Sequence, residues 1–418
     1  MTTPDAPRTQ EPVEVDPRTL PPPVAPPVGA QGQPPGPPAP RPYGPYPPQP
    51  PSRGPYPGAP GPQYGGPPYP GSPYGGPPYG GPGVPAPVSP RVRSKPPVLP
   101  TEPAEFQQML RTPRHRWWKP LLTLALFAAM AFVAINLGAV VLTLVSVARG
   151  VPDPAAYLTR VLKVGQGGIG PVSFLFLNYS LIVLIPVAML ARWIVYRQRP
   201  RFLTSVTGGF RWRWMARCLV VTLPIWAIYI GVSTVVDGTP EPKPAYWGAL
   251  VVVCLVTTPL QCAGEEYTFR GLVLQTVGSW FRRPMVGLIV GAVPAVGLFA
   301  AAHGSPDPYI LAQLCVFAVS CVIVTWRTGG LEAAIAIHLS NNVLLLLTNI
   351  VYGGWNSAFI DGQTTGTLAG VLIDVVVDGT AVALILWQAK RVQLTRRSLP
   401  VAEPTPTAFT SAPQPLYG

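Results

Sequence analysis

Hydrophobic residues are concentrated in a series of long runs that begins near Leu121 and recurs as far as about residue 389. Each run has about 17 to 25 predominantly apolar residues, the length at which an α-helix crosses about 30 Å of hydrocarbon at about 1.5 Å per residue. The predicted spans are approximately 120–147, 172–196, 217–236, 246–275, 285–303, 309–326, 331–350 and 366–389. The pattern therefore predicts an all-α, polytopic membrane domain of eight helices over residues 111–395.

The N-terminal part of the chain has a different pattern, with repeated Pro-Tyr-Gly units and almost no aliphatic periodicity. Of the 59 prolines, 37 lie in the first 100 residues, together with seven of the 16 tyrosines. A segment of this composition cannot bury enough apolar surface to offset the conformational entropy lost on folding. We therefore expect residues 1–110 to form a disordered cytoplasmic tail with local polyproline II character. Its tyrosines are either contact points for a protein partner or a consequence of the low-complexity composition.

Charge is scarce and unevenly distributed. Only 11% of the residues are charged, compared with about 25% in an ordinary soluble domain. The net charge of +13 would suit nucleic acid, anionic lipid or membrane topology. Most basic residues near the spans lie before span one, between spans two and three, and after spans four, six and eight, although the loop after span one is mixed (Arg149, Asp153, Arg160 and Lys163). Under the positive-inside rule this distribution predicts a multi-pass protein of the cell membrane, surrounded by lipid, with both termini cytoplasmic. Residues 396–418 then form a short cytoplasmic tail, and no nucleic-acid partner is needed to explain the charge.

Three polar clusters interrupt the apolar runs, where ionisable side chains are costly and tend to mark functional sites. They are Glu265–Arg270 late in span four, Phe299–His303 in span five and His338–Asn342 in span seven. Taken one by one, a Glu–Arg pair near a helix end, a His in an Ala-rich run and an Asn on a membrane helix are each common packing devices. Three such clusters together indicate a site.

Helical spacing separates the two acidic residues of the first cluster. Glu266 and Arg270 are four residues apart and can form an ion pair on one face of the helix. Glu265 points about 100° away and is left without that partner. The spacing therefore divides the acidic pair into a structural member and a free one.

The polar groups of all three clusters suggest hydrolytic chemistry. Helical spacing places His338 and Asn342 on one face of span seven and turns Asn341 aside. In a shared cavity, Glu265 can activate water for peptide hydrolysis while His338 and Asn342 donate hydrogen bonds to the oxyanion. His303 lies about 27 Å along span five, but His338 only about 12 Å into span seven. Convergence therefore needs a tilt, a proline kink or a longer approach before span five.

The clusters form an ordered set of motifs, EExxxR, FxxxH and HxxxN, each on a predicted membrane helix. This set resembles that of the CPBP intramembrane proteases, also called CAAX proteases or Abi-type proteins, which include the type II CAAX prenyl endopeptidases. The residues that carry the resemblance are Glu265, Glu266 and Arg270, then Phe299 and His303, then His338 and Asn342. It covers a protease core at about 215–350, roughly a third of the chain.

The resemblance implies hydrolysis of a peptide bond within or beside the membrane. The roles it implies are a water-activating base for Glu265, completion of the catalytic site for His303, His338 and Asn342, and structural support for Glu266, Arg270 and Phe299. In the prenyl-processing members of the family, the substrate is a lipidated C-terminal CaaX sequence. Other members are associated with bacteriocin maturation or self-immunity.

A zinc cofactor is an open alternative to a metal-free site. Glu265, His303 and His338 would make a three-ligand catalytic zinc site with an open position. In the metal-free mechanism the histidines instead position the water and the oxyanion. The chain has no HExxH motif, and its five cysteines lie singly in apolar runs. These features favour the metal-free mechanism.

Three functions can be compared on this basis. The first is an intramembrane endopeptidase that acts on a peptide or membrane-protein substrate. The second is a non-catalytic scaffold or bacteriocin-immunity-type protein that binds a peptide or a partner, for example through the Pro/Tyr-rich tail. A transporter ranks last, because the chain shows little polar continuity outside the three clusters. The complete set of motifs favours the endopeptidase, since a purely structural descendant has no need of all of them.

Overall fold

The computed structural model describes residues 96–162, 169–237, 242–355 and 358–400, and these residues contain helices but no β-strand. The α-helices in these ranges are α1 (Lys119–Ala148), α2 (Pro154–Leu162), α3 (Pro171–Ile182), α4 (Leu184–Tyr196), α5 (Trp212–Asp237), α6 (Trp247–Glu266), α7 (Leu274–Gly278), α8 (Pro284–Ala301), α9 (Pro308–Thr328), α10 (Glu332–Tyr352) and α11 (Leu368–Arg391). A π-helix (Tyr267–Val273) joins α6 to α7. The all-α prediction is confirmed for this part of the chain. Residues 1–95 and 401–418, which make up most of the two predicted tails, lie outside the described residues.

Eight helical segments of the described residues are long and apolar enough to cross a membrane. They are Lys119–Ala148, Pro171–Tyr196, Trp212–Val236, Trp247–Gly278, Pro284–Ala301, Pro308–Thr328, Glu332–Tyr352 and Leu368–Arg391. The second segment consists of α3 and α4, and the fourth of α6, the π-helix and α7. The prediction of eight spans is confirmed, and its largest boundary difference is the start of the third span at Trp212.

Large apolar side chains cover the outer faces of the spans. Phe132 on α1 is 70% exposed, Val235 on α5 is 79% exposed and Val376 on α11 is 67% exposed. Apolar surface of this extent is unfavourable in water and favourable against hydrocarbon. The described residues therefore form a multi-pass membrane domain whose outer surface suits lipid.

Helix α10 is the central column of this domain. Half of its most apolar stretch is buried inside the protein, compared with 6% of the corresponding stretch of α1. Its first turns are rich in alanine, and Ala333, Ala334 and Ala336 are fully buried. Small side chains let neighbouring membrane helices approach closely. Helix α10 therefore packs against α5, α6 and α9, and its polar residues Glu332, His338 and Ser340 are buried.

Glycines bring α7 and α8 together in an antiparallel arrangement. A Cβ added at Gly278 would lie 3.0 Å from the carbonyl oxygen of Gly287, and one at Gly291 would lie 2.9 Å from the carbonyl oxygen of Leu274. Backbones approach this closely only where no side chain intervenes. The antiparallel contact directs the far end of α8 back alongside the π-helix.

The residues just before α1 are anchored on the membrane domain. Phe106 and Met109 are fully buried in its core. Glu105 accepts hydrogen bonds from Trp326 Nε1 at 2.8 Å and from Arg396 Nη2 at 2.6 Å. The packed domain therefore begins before residue 110, although the hydrophobic pattern predicted a tail that extends to that residue. The reason is that this segment is too short to show periodicity and is held by a few apolar side chains and one carboxylate.

Candidate active site

A cavity of about 620 Å³ lies between the helices of the domain. The four residues predicted as catalytic all line it, namely Glu265, His303, His338 and Asn342. Its further polar lining includes Asn178, Gln261, Gln313, Asn341, Asp374 and Asp378. Ligand-binding cavities commonly measure about 300–1,000 Å³ and combine apolar walls with a few converging polar groups. The three motifs therefore meet in one space that is large enough to take part of a peptide.

Two adjacent carboxylates at the end of α6 point in different directions. Glu266 is fully buried, and its Oε1 accepts a hydrogen bond from Arg270 Nη1 at 2.9 Å. Glu265 is 8% exposed and lines the cavity. The i,i+4 ion pair expected from the spacing is present, and the rotation of about 100° per residue turns Glu265 toward the cavity.

The helix changes type immediately after these carboxylates. Tyr267–Val273 forms a π-helix, where the sequence pattern predicted a continuous α-helix. Single π-helical turns inside α-helices are frequent at functional sites. Thr268 Oγ1 donates to the carbonyl oxygen of Gly264 at 2.8 Å in this region. Arg270 lies within the π-helix, so the pair it forms with Glu266 spans the junction of the two helix types.

The Phe299 ring packs against the guanidinium of Arg270, whose Cζ lies 4.4 Å from the ring centroid. Arg270 is fully buried, and its Nε and Nη2 have no hydrogen-bond partner among the described residues. The cation–π contact and the Glu266 carboxylate thus stabilise a charge that has been removed from water. The same ring lies 5.8 Å from the His338 ring and 4.9 Å from the His303 ring, measured between centroids. The aromatic residue of the FxxxH motif therefore positions three polar side chains.

The hydrogen bonds of His338 determine which of its ring nitrogens carries a hydrogen. Its Nδ1 lies 2.8 Å from Glu266 Oε1, and its Nε2 lies 3.8 Å from Glu265 Oε2. Glu266 Oε1 already accepts a hydrogen bond from Arg270 Nη1 and acts as the acceptor here, so Nδ1 is the donor. In the neutral ring, Nε2 then has a lone pair directed toward Glu265. His338 can donate a hydrogen bond from Nε2 only as the imidazolium, which limits the oxyanion role expected from the sequence.

Two amides on α10 have a defined orientation. Trp226 Nε1, which can only donate, donates to Asn341 Oδ1 at 3.0 Å. Asn341 Nδ2 therefore faces the other way and donates to Asn342 Oδ1 at 3.0 Å. It follows that Asn342 has its Nδ2 left as a donor on the cavity wall. The expectation that Asn341 is turned aside is wrong, because Asn341 lines the same cavity.

Gln261 and Trp226 are site residues that the sequence analysis missed. Gln261 Nε2 donates to Glu265 Oε1, so that the other carboxylate oxygen faces His338. Gln261 precedes Glu265 by four residues in an apolar run, and the spacing rule applied to Arg270 would have identified it. Trp226 had no such signal, because its role depends on contact between two distant spans.

His303 lies just beyond the end of α8, not inside the span as predicted. Its Nδ1 donates a hydrogen bond to the carbonyl oxygen of Phe299 at 2.8 Å. In the neutral ring, Nε2 then carries a lone pair and no hydrogen. The segment before α8 is long, since the fourth span has 32 residues, and His303 lines the same cavity as His338.

The same geometry bears on whether the site could hold a metal ion. Among the described residues, no group of three or more His, Cys, Asp or Glu side chains is arranged to hold a metal ion. Glu265 and the two histidines therefore do not fit the three-ligand zinc site in this arrangement, and no step proposed below uses a metal.

A second pair of carboxylates lines the cavity, and the sequence analysis missed it as well. Asp374 and Asp378 lie four residues apart on α11. Asp374 Oδ1 accepts a hydrogen bond from the Tyr229 hydroxyl at 3.4 Å, and Asp378 is only 3% exposed. The signal was available, because two aspartates inside a span predicted to cross the membrane are rare.

The part of the chain that contains this site is similar to known proteins. Residues 247–344 match a family model described as type II CAAX prenyl endopeptidase Rce1-like, and this range contains all three motifs. A Bacillus subtilis (strain 168) protein described as the uncharacterized protein YyaK is 31% identical over 121 residues. The match covers 26% of this chain and 39% of YyaK, so the chain spans well under two thirds of that relative. No solved structure matches the chain at a significant level. The resemblance to the CPBP and CAAX proteases is thereby confirmed for residues 247–344, and it supports a membrane endopeptidase of the CAAX-protease type.

Proposed function

We propose that the protein is an intramembrane endopeptidase in which Glu265 activates a water molecule for attack on a peptide carbonyl. The observation that carries the proposal is the 3.8 Å pairing of Glu265 Oε2 with His338 Nε2 on the cavity wall. The second oxygen of Glu265 and the second nitrogen of His338 are hydrogen-bonded to Gln261 and Glu266. One water molecule can therefore hydrogen-bond to both facing atoms at ordinary distances of about 2.8 Å.

The proton movements follow from these positions. The water oxygen forms a bond to the carbonyl carbon, and the proton it loses moves to Glu265 Oε2. The carbonyl oxygen becomes an oxyanion, and the Nδ2 of Asn342 donates a hydrogen bond to it. The proton then passes from Glu265 to the amide nitrogen as the C–N bond breaks. His303 completes the wall beside Phe299, and Glu266 with Arg270 holds the His338 ring in the required orientation.

The amide orientation supports this assignment over a purely structural role. The oxygen of Asn342 already accepts from Asn341, which Trp226 orients, so the donor of Asn342 is the group left for a ligand in the cavity that Glu265 also lines. Preorganised donors of this kind stabilise developing negative charge without reorganising during the reaction. A non-catalytic scaffold that binds a peptide in the same cavity is the alternative that the experiment below separates from an enzyme.

We also infer that both ends of the described region face the cytoplasm. Glu105 lies before α1, and it pairs with Arg396 at 2.6 Å and with Arg397 at 3.2 Å after α11. This contact requires the two ends to lie on the same side of the membrane, as an even number of spans also does. The basic residues at this end support the cytoplasmic side. Reporter fusions at both ends of the chain test the orientation, and activity of a periplasm-dependent reporter at either end would contradict it.

The test of the proposed activity uses two substitutions of the same kind. Membranes with wild-type protein are compared with membranes that carry Glu265→Gln or, as a matched control, Glu102→Gln at an exposed position outside the spans. New termini of membrane proteins are identified by proteomics, and a farnesylated CaaX peptide is the first purified substrate. We expect cleavage products with wild type and with Glu102→Gln. Loss of a general base lowers the rate by about 10²- to 10⁴-fold, so Glu265→Gln should form almost none.

The outcomes distinguish the candidate functions. Wild-type turnover by a folded Glu265→Gln protein would overturn the role of Glu265. Identical termini in all three membranes, with equal expression and a folded protein, would favour the scaffold instead.

A further inference from the structure

We propose that Asp374 and Asp378 form a subsite of the same cavity that binds a cationic side chain, lysine or arginine, of the peptide substrate. This inference rests on the proposed endopeptidase function, because it assigns a specificity to the peptide that Glu265 would cleave.

The position of the two carboxylates is the first argument. They lie four residues apart on α11 and therefore on one face of that helix. Both line the cavity that Glu265 and His338 also line. The pair is thus part of the space that a bound peptide would occupy.

The hydrogen bonding of Asp378 is the second argument. Asp378 is 3% exposed, and its Oδ1 is buried with no hydrogen-bond partner among the described residues. A buried carboxylate oxygen without a partner is costly, and membrane proteins keep such groups mainly where they serve a function. Asp374 is held in place by the Tyr229 hydroxyl at 3.4 Å. One member of the pair is therefore positioned by the protein, and the other has an oxygen left for a ligand.

The charge of the cavity wall is the third argument. Its lining residues include the carboxylates Glu265, Asp374 and Asp378 but neither lysine nor arginine. Buried charges are screened weakly by salt, so this imbalance favours a cationic group and disfavours an anionic one. A metal ion fits less well, because the described residues offer no group of three suitable ligands here. An ammonium or guanidinium has only hydrogen-bond donors, which match a wall whose charged groups are acceptors.

The experiment measures binding, so that it does not depend on cleavage. The full chain with Glu265→Gln is reconstituted in lipid nanodiscs and titrated with pairs of apolar peptides that carry a neutral fluorophore. The two members of a pair are identical except for one lysine or norleucine, and this position is moved along the peptide. We expect the lysine peptide to bind about tenfold more tightly than its norleucine partner at one or two positions, a difference of about 1.4 kcal/mol.

The variants assign that preference to the aspartates. Adding Asp378→Asn should reduce the preference to less than about twofold. Asp374→Asn is the second variant, should Asp378→Asn fail to fold. Asp153→Asn, at an exposed position before α2, makes the same change of charge outside the cavity and should keep the preference. Thermal unfolding confirms that each variant is folded.

Each outcome has a defined meaning. Equal binding of every lysine and norleucine pair, or failure of every lysine peptide to bind, would overturn the subsite. A preference that survives both aspartate substitutions would overturn it as well. A lysine preference in a protein that cleaves nothing would remove the proposed function and retain the subsite, whereas cleavage without any preference would do the reverse.

Discussion

At the scale of single residues, the neighbouring carboxylates Glu265 and Glu266 show how a rotation of about 100° between adjacent helical residues separates two functions. Glu266 is surrounded by protein and accepts hydrogen bonds from Arg270 at 2.9 Å and from His338 at 2.8 Å. Glu265 keeps one oxygen on the cavity side, 3.8 Å from His338 Nε2. Glu266, which positions the site, and Glu265, which is proposed to react, are the same type of residue and differ in the direction of their side chains.

The same substitution at these two positions should affect different properties, the stability at Glu266 and the activity at Glu265. In Glu266→Gln, Arg270 is left buried without its counter-charge, and breaking one side of a buried ion pair costs about 3–5 kcal/mol of unfolding free energy. In Glu265→Gln, the amide can still hydrogen-bond with Gln261, so stability should change by less than about 1 kcal/mol while activity is lost. Thermal or denaturant unfolding in one detergent checks this prediction. Equal destabilisation by both variants would contradict it.

At the scale of helices, close backbone contacts determine where the site residues lie. A Cβ added at Gly264 would lie 2.1 Å from the carbonyl oxygen of Leu181, near the junction of α3 and α4. Glycine is required here because the neighbouring atom is backbone and cannot move aside. The start of α10 is held in a similar way, since Arg211 pairs with the buried Glu332 through contacts of 2.6 Å and 2.9 Å. The first contact fixes α6, which carries Glu265, against α3, and the second fixes the start of α10, which carries His338, against the segment before α5.

Gly264→Ala should therefore disturb the site from outside the cavity. The added methyl group must push α6 away from Leu181, which we expect to cost about 1–3 kcal/mol and to displace the adjacent Glu265. Gly248→Ala in the same helix is the matched control, because nothing lies within 4 Å of the added Cβ. That substitution should be neutral or stabilise by up to about 1 kcal/mol. Unfolding and peptide cleavage are measured for both, and wild-type behaviour of Gly264→Ala would refute the close contact.

At the scale of the whole molecule, Glu105 connects the two ends of the membrane domain. Burial alone would raise the pKa of its carboxyl. Hydrogen bonds from Trp326 and Gln107 and the positive charges of Arg396 and Arg397 more than offset this, so that the pKa lies below its ordinary value of 4.5. The segment before α1, the end of α9 and the segment after α11 therefore depend on one ionised carboxylate.

This contact should make stability depend on pH in a defined direction. Because the pKa of Glu105 is lower in the folded protein, its contribution is complete above the unfolded value of about 4.5 and is lost as the pH falls through the folded value. Glu105→Gln should lower the unfolding free energy at pH 7 by about 2 kcal/mol and weaken the pH dependence below about pH 4.5. Glu102→Gln, which is exposed, should behave as wild type. Unfolding temperatures between pH 7 and pH 3.5 test this, and an unchanged acid transition in Glu105→Gln would count against it.

Some features of the fold and the site could be predicted from local pattern alone. The eight spans follow from the length of the apolar runs, and the Glu266–Arg270 pair follows from a spacing of four residues. Gln261 and the aspartates of α11 were equally available to these rules but were not considered. The π-helix was not available, because its residues have ordinary helical composition and its geometry depends on the packing around Arg270 and Phe299.

The sequence by itself determined which segments cross the membrane and which residues make up the three motifs, because hydrophobic length and helical face are properties of short stretches of chain. Only the tertiary structure decided that the motifs share one cavity, which nitrogen of His338 carries its hydrogen and which way Asn342 presents its amide. These features depend on contacts between distant spans, such as Glu266 with His338, 72 residues apart, and Trp226 with Asn341, 115 residues apart. Helix packing sets such contacts, and no local pattern encodes them.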